Sequence, residues 1–355
     1  VAELGRYWPP NIAVDARNWV VNNIIYGKVT NLDTKIIISP NDYISRTIDK
    51  KSVNGSFKFS GLQVNYLEGT APITNAEGEA NFNTKSLIFD VKDASFGKSK
   101  VKGLVSIFDI DTEDPHMGVE VTTDGELADI THFLQMLQSG GTDESGKNNL
   151  LDISNLKGKA TTSQSYKFPL LNDLSFKQIE FTGSAKLSEV ELPDVIDSIK
   201  LSGGEFDLSV DNNGLRAEGS AYLNATLANI KWLEDFSDKK DFNTQYLVAS
   251  YITAREFESM GGPKLRNVDG TMAAKLSVKQ KDDLREVVAM IDLKDTKISV
   301  PSLGFTKKEG EAGELELLVE DATDKSYKIK SFKLTSKGLK AKGSAEIEKG
   351  TIAKS

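Results

Sequence analysis

The sequence predicts a mostly β protein: an elongated, curved antiparallel sheet that forms a repeating β-groove, with a few short helices. Three observations lead there. Apolar and polar residues alternate with period two through much of the chain, the alternating segments resemble one another, and helical spacing is confined to short stretches. Of 355 residues, 39% are hydrophobic and 27% charged, which suits a folded chain rather than a disordered one.

The alternation defines one face. Phe57 and Phe59 share a side of their segment, and Val64, Tyr66 and Phe82 extend the apolar set. Leu87, Phe89 and Val91 alternate with Ile88, Asp90 and Lys92, and Val101, Val105 and Ile107 follow. Phe206, Leu208 and Val210 alternate with Asp207, Ser209 and Asp211. Leu215, Ala217, Ala221 and Leu223 alternate with Arg216, Glu218, Ser220 and Tyr222. Phe332 and Leu334 precede Leu339, Ala341, Ala345 and Ile347. Period two puts each set on one side of a strand, so these residues are the candidate lining of an apolar groove. Gly219, Ala221, Gly343 and Ala345 sit among the large residues and predict room for a guest.

The segments repeat. Asn213 to Leu223 reads almost like Lys337 to Ile347, and Phe96 to Ile107 is a looser version. A second unit recurs at Ile73–Ala80, Ile153–Ala160 and Leu265–Met272, each with Asn at its third position and Gly at its sixth. The same interval separates Gly78 from Gly103 and Gly158 from Gly183. Degenerate repeats of this kind imply stacked units rather than one closed core. Gly, at 28 residues, scattered through alternating segments suggests turns and bulges more than linkers.

Helical spacing is sparse. Ile12 to Ile25, Asp129 to Leu137 and Tyr246 to Met260 are the candidate helices, the last ended by Gly261-Gly262-Pro263. The polar run from Ser139 to Asn149 reads as a flexible loop. The predicted division is therefore 1–138, a first groove segment with an N-terminal helix; 139–150, a loop; and 151–355, a continuing groove segment with helices near 230–260.

Composition narrows the function. Asp plus Glu outnumber Lys plus Arg, 52 to 44, for a net charge of -8, so neither nucleic acid nor strong attraction to anionic membrane surfaces is expected. The absence of cysteine excludes disulfides, thiolate catalysis and thiolate-bound metals. No apolar run is long enough to span a bilayer as a helix, and the chain reads as a piece of a longer protein. His116 and His132 stand outside any ligand-spaced cluster, and no nucleophile elbow, phosphate loop or zinc-protease motif is present. Asp109, Asp111 and Asp114 could offer oxygen ligands to calcium, but the segment has Asp114 where an EF-hand needs its sixth-position glycine, with Glu120 at the twelfth only by coincidence of spacing, and reads as a solvated turn. Glu189 with Glu191, and Glu314 with Glu316, read as the outer side of strands rather than acid/base pairs. The chain is expected not to be an enzyme, with no cofactor and no metal.

Several segments resemble a known group. Tyr7-Trp8-Pro9 followed by Ala16-Arg17-Asn18-Trp19-Val20, Phe59 to Tyr66 with Gly69 to Ile73, Gly204 to Leu208 leading to Trp232, and Val300 to Gly304 with Lys307 and Gly310 are similar to the YhdP-type branch of the AsmA-like proteins. The likeness covers nearly the whole chain. It implies a periplasmic protein tethered to the inner membrane through segments outside this chain. It also implies a long sheet with an apolar concave face that passes phospholipid toward the outer membrane. A periplasmic or outer-membrane protein partner is possible on that reading. Asn224-Ala225 stands where a Gly is expected before a helix near Trp232. The competing expectations are a β-sandwich, whose second sheet would cover the apolar face, and a structural or adhesive β-repeat without a lipid.

Overall fold

The structure is a computed structural model. It describes residues 6, 14–40, 44, 52–65, 72–112, 114–129, 155–171, 174, 176–195, 199–237, 241–260, 264–281, 284–323, 326–348 and 351–354, with side chains described for these apart from 15, 16, 321–327 and 347–354. Strand dominates, helices are short, and the sheet is antiparallel and not closed into a barrel, which is the predicted class.

The chain forms two compact units. The first comprises Val1–Gly141, Lys159–Ala185 and Val210–Asn212; the second comprises Thr142–Gly158, Lys186–Ser209 and Asn213–Ser355. In the first, helix α1 (Val14–Asn23) leads into β1 (Ile24–Ile36), β2 (Val53–Val64), β3 (Ile73–Asn83), β4 (Ser86–Phe96), β5 (Ser99–Phe108), β6 (His116–Glu126) and β7 (Lys157–Pro169). Each strand pairs antiparallel with the next. Strands β8 (Glu180–Leu192) and β9 (Leu201–Asp211) give residues to both units.

The second unit continues with β10 (Gly214–Leu223), β11 (Thr226–Asp235) and β12 (Thr244–Thr253), then helix α2 (Ala254–Ser259). After it come β13 (Val268–Lys281), β14 (Leu284–Asp292), β15 (Thr296–Val300), β16 (Phe305–Lys307), β17 (Gly313–Thr323), β18 (Ser326–Ser336), β19 (Leu339–Glu348) and β20 (Thr351–Lys354). β10 to β14 form an antiparallel meander that β17 to β20 extend from β14. β15 and β16 form a small side sheet with the start of β13. Lys307 pins this side sheet. It is only 1% exposed, and its ammonium donates to the carbonyls of Lys294 (3.2 Å), Thr296 (2.8 Å) and Lys308 (3.1 Å). Burying an ammonium is costly unless its donors are satisfied, and three carbonyls satisfy all three.

The repeats have a structural meaning. The Asn-containing unit opens β3 and β13, and Asn75 and Asn267 take left-handed φ of 54° and 60° there. Asn tolerates that region because its short amide bonds locally to the backbone. The copy beginning at Ile153 opens β7, in part outside the described residues. The other repeat, Asn213–Leu223 and Lys337–Ile347, is a turn followed by β10 and β19.

Three helix expectations need correction. Tyr246 to Thr253 is strand β12, and only Ala254–Ser259 is helical. Tyr246, Val248 and Ile252 face one side, but Leu247 and Tyr251 face the other, and apolar residues on both faces of a strand imitate a buried helix. Trp232 likewise lies in β11, so the region near 230 is strand; Asn224 forms the preceding turn at φ 54°. The expected N-terminal helix is present as α1, Val14–Asn23, and only its end is corrected, since Ile24 already begins β1. The candidate helix beyond residue 129, with His132, and the 139–150 loop lie outside the described residues.

Candidate functional site: an apolar trough across the strands of each unit

Cross-strand register sorts the apolar face of the first unit into rows. One central row runs Phe57, Ala80, Phe89, Val105, Val119, Tyr166, and the next runs Phe59, Gly78, Val91, Gly103, Val121, Gln164. Most of these are half-buried. The flanking rows are darker: Leu87, Ile107 and Met117 on one side, and Ala76, Ala94 and Val101 on the other, are all buried. Trp19 of α1, Ile110 and Leu170 pack into the same cluster. Leu170 is tied down by its N–H donating to the Pro115 carbonyl at 2.8 Å. Half-exposed middle rows between buried margins describe a trough running across the strands.

The second unit repeats the pattern. Its central row is Gly219, Ile230, Val248, Leu276, Ala289, Leu317 and Phe332. Val248, Leu276, Leu317 and Phe332 are half-buried and Ile230 and Ala289 buried; in the adjacent rows Ala228, Ala274, Tyr246 and Val278 are buried and Trp232 and Val287 half-buried. At the end where β12 finishes, Phe257 of α2 and Met260 pack against Ile252, Met272 and Ala274. Thr253 and Glu256 lock that helix with a reciprocal capping box. At the opposite end the last row turns polar: Glu234, Thr244, Gln280 and Arg285 are cross-strand neighbours on the apolar face. Trp232 Nε1–H donates to Glu234 Oε1 at 2.6 Å, and the Thr244 hydroxyl donates to Oε2 at 2.8 Å. Trp232 stacks on Tyr246, ring centroids 6.2 Å apart. Burial, then the Glu234 charge, push the Tyr246 phenol well above its ordinary range.

No second sheet packs across either face among the described residues; strands meet their ladder neighbours. The β-sandwich expectation fails on that point. The opposite face is largely charged, with cross-strand pairs such as Lys58–Glu79 (3.2 Å), Lys231–Glu218 (2.7 Å) and Lys333–Glu316 (2.9 Å). It is not uniformly polar: Leu247, Ala249, Val288 and Met290 line a depression of about 830 Å³ there in the second unit.

Each predicted lining residue with a described side chain lies on the apolar face of its unit. In the first unit Phe57, Phe59, Val64, Phe82, Leu87, Phe89, Val91, Val101, Val105 and Ile107 belong to one cluster. Val210, also in that unit, is buried. In the second unit Phe206 and Leu208 lie on β9; Leu215, Ala217, Ala221 and Leu223 on β10; Phe332 and Leu334 on β18; Leu339, Ala341 and Ala345 on β19. Tyr66 lies outside the described residues, as does the side chain of Ile347. Sequence reasoning missed Val119, Tyr166, Ile230, Val248, Leu276 and Leu317. Their strands alternate too, but apolar residues on the outer face at Leu247, Val288 and Leu318 blur the period.

The small residues do not leave the space expected of them. A Cβ on Gly219 would fall 2.7 Å from the Phe206 ring, and one on Gly343 would fall 2.8 Å from the Phe332 ring. Phe57 and Phe89 meet at 6.1 Å across the intervening Ala80, which is fully buried. At these three positions the small residue seats a neighbouring ring.

The acidic turn supplies no ligand cluster. Asp111 pairs with Lys85 at 3.1 Å, His116 Nδ1 lies 3.9 Å from Asp109, and no group of three acidic or histidine residues among the described residues could hold a metal.

An open, single-layer antiparallel sheet with an apolar trough on one face defines a β-groove protein. The chain belongs to the YhdP family: the family model described as YhdP protein matches residues 1–353. No curated protein and no solved structure matches it. Family membership fits lipid transport and a setting in the cell envelope. No helix among the described residues is long and apolar enough to cross a membrane.

Proposed function

We propose that each trough binds phospholipid acyl chains and lets them pass along it, serving lipid movement from the inner to the outer membrane, without catalysis or a cofactor. In this reading the full protein is periplasmic and tethered to the inner membrane through segments outside this chain. The observation that carries it is the half-buried middle of each apolar face, uncovered by any second layer.

The energetics favour such a surface. Bringing an acyl chain into water costs about 0.8 kcal/mol per methylene, hence roughly 12 kcal/mol for a chain of about 16 carbons. An apolar floor offsets most of that cost. The attraction is non-directional, so similar rows of Phe, Val and Leu offer many positions of near-equal energy along which a chain slides.

Photo-crosslinking tests this. A photoreactive side chain at Val105 or Leu276, in the trough, is expected to yield phospholipid adducts. The same group at Leu104 or Lys279, on the outer face, is expected to yield few. Equal yields at all four positions refute the proposal.

A further inference from the structure

The floor of the first trough changes chemistry at one strand. From β2 to β6 its two middle rows hold only Phe, Val, Ala and Gly. On β7 both rows turn polar at once, at Tyr166 opposite Val119 and at Gln164 opposite Val121. Both side chains are half-buried. They are joined along the strand: the Tyr166 hydroxyl donates to Gln164 Oε1 at 2.6 Å, and Gln164 Nε2 donates to the Thr162 hydroxyl at 2.7 Å. Thr162 is buried, and so is Thr123, its cross-strand neighbour. Beyond β7 the floor is apolar again. On β8, the next strand, Phe181 and Ala185 are buried, and a Cβ on the intervening Gly183 would fall 3.8 Å from the Ser163 carbonyl oxygen and 3.1 Å from Val210. The polar residues therefore interrupt an apolar surface over the width of one strand, about 4.8 Å.

We infer that Thr162, Gln164 and Tyr166 form a threshold in the lipid path of this unit, a step at which a sliding acyl chain is held back. The inference rests on the lipid-binding reading above and locates a slow step within it. Between β2 and β6 a methylene moving from row to row exchanges one apolar neighbour for another, at little cost. Over β7 it meets an amide and a phenol oxygen instead. These groups bond to one another along the strand, so the fold does not need a ligand to satisfy them. Their exposed sides still hold water, which a passing methylene displaces without replacing its hydrogen bonds. The band is narrow, and a long acyl chain straddles it with apolar floor under both ends, so passage is slowed and not stopped. The end of a bound chain then rests on the β2–β6 side or on β8, and seldom on β7.

Phospholipid carrying a diazirine at the end of one acyl chain reads where that end rests. After photolysis of the loaded full chain, peptide mass spectrometry is expected to find label on β5, β6 and β8. On β7 it is expected to find about tenfold less, the factor that roughly two methylene contacts supply. Making the band apolar, with Gln164→Leu and Tyr166→Phe, is expected to bring β7 to the level of its neighbours. Gln164→Glu changes the side chain but keeps it polar, and is expected to preserve the gap. Label on β7 equal to that on β6 and β8 in the unaltered chain overturns the threshold while leaving lipid binding intact. So does a gap that persists in the folded apolar variant, or one that Gln164→Glu abolishes. Absence of label on every strand, with no phospholipid carried by the purified chain, overturns the lipid-binding reading itself.

Discussion

In the first unit the register slips gather between β1 and β5, in the second between β17 and β20, yet both expose the same kind of trough. In the first, pairing slips between β1 and β2, β2 and β3, β3 and β4, and β4 and β5. Gly27 and Gly61 sit at such slips with φ of 129° and 64°. Bulges of this kind increase twist and re-aim the chain. In the second, β10 to β14 and on to β17 pair without a slip. Margins differ as well. In the first unit apolar groups form one flank and most of the other, which ends in buried Thr123 and Thr162, whereas the second has an apolar flank under α2 and a charged one at Glu234. The shared property is therefore the row-by-row burial pattern, which either ladder can support.

The largest expected effect distinguishes the units by stability. Lys307→Ala leaves three carbonyls without their shared donor and opens a cavity, at a cost of about 3 kcal/mol or more. Urea unfolding followed through Trp232 should shift accordingly, while the signal of Trp19 in the first unit should move less. Equal shifts at both reporters would show that the units unfold as one.

A second contrast sharpens the row pattern inside the first unit. Ile107 is 1% exposed, whereas its strand neighbour Val105 is half-buried. Ile107→Ala is expected to cost about 3 kcal/mol and Val105→Ala about 1 kcal/mol, by denaturant titration. The reverse order would remove the distinction between margin and middle.

The smallest effect is a pH dependence confined to the second unit. Because the folded Tyr246 phenol is pushed upward, first by burial and then by the Glu234 charge, its contribution is fully present below about pH 10, the unfolded value. It is lost as pH rises toward the folded value. An ultraviolet titration should show one tyrosine ionising late, and Glu234→Gln should bring it back toward the ordinary range. A normal titration of every tyrosine would contradict the buried placement of Tyr246.

Much of this architecture was legible in the sequence because a strand's side chains alternate with a fixed period. Phe57 and Phe59, or Leu215 and Ala217, declare their face without neighbours. β12 was not legible, since Leu247 and Tyr251 put apolar groups on its outer side and the period vanished. The role of Gly219 and Gly343 was also hidden: it depends on Phe206 and Phe332 of the preceding strands, and register across strands is not written in either strand alone. The polar row escaped for the same reason, because Glu234, Thr244, Gln280 and Arg285 become neighbours only once four strands are aligned.

The most direct test of the central claim is the lipid content of the purified chain, measured by mass spectrometry in wild type and in the double variant Val105→Asp, Leu276→Asp. The account predicts phospholipid bound to the wild type and its near-complete loss from the variant, whose strand content in circular dichroism stays unchanged. Undiminished phospholipid in a folded variant, or none on the wild type, would contradict it.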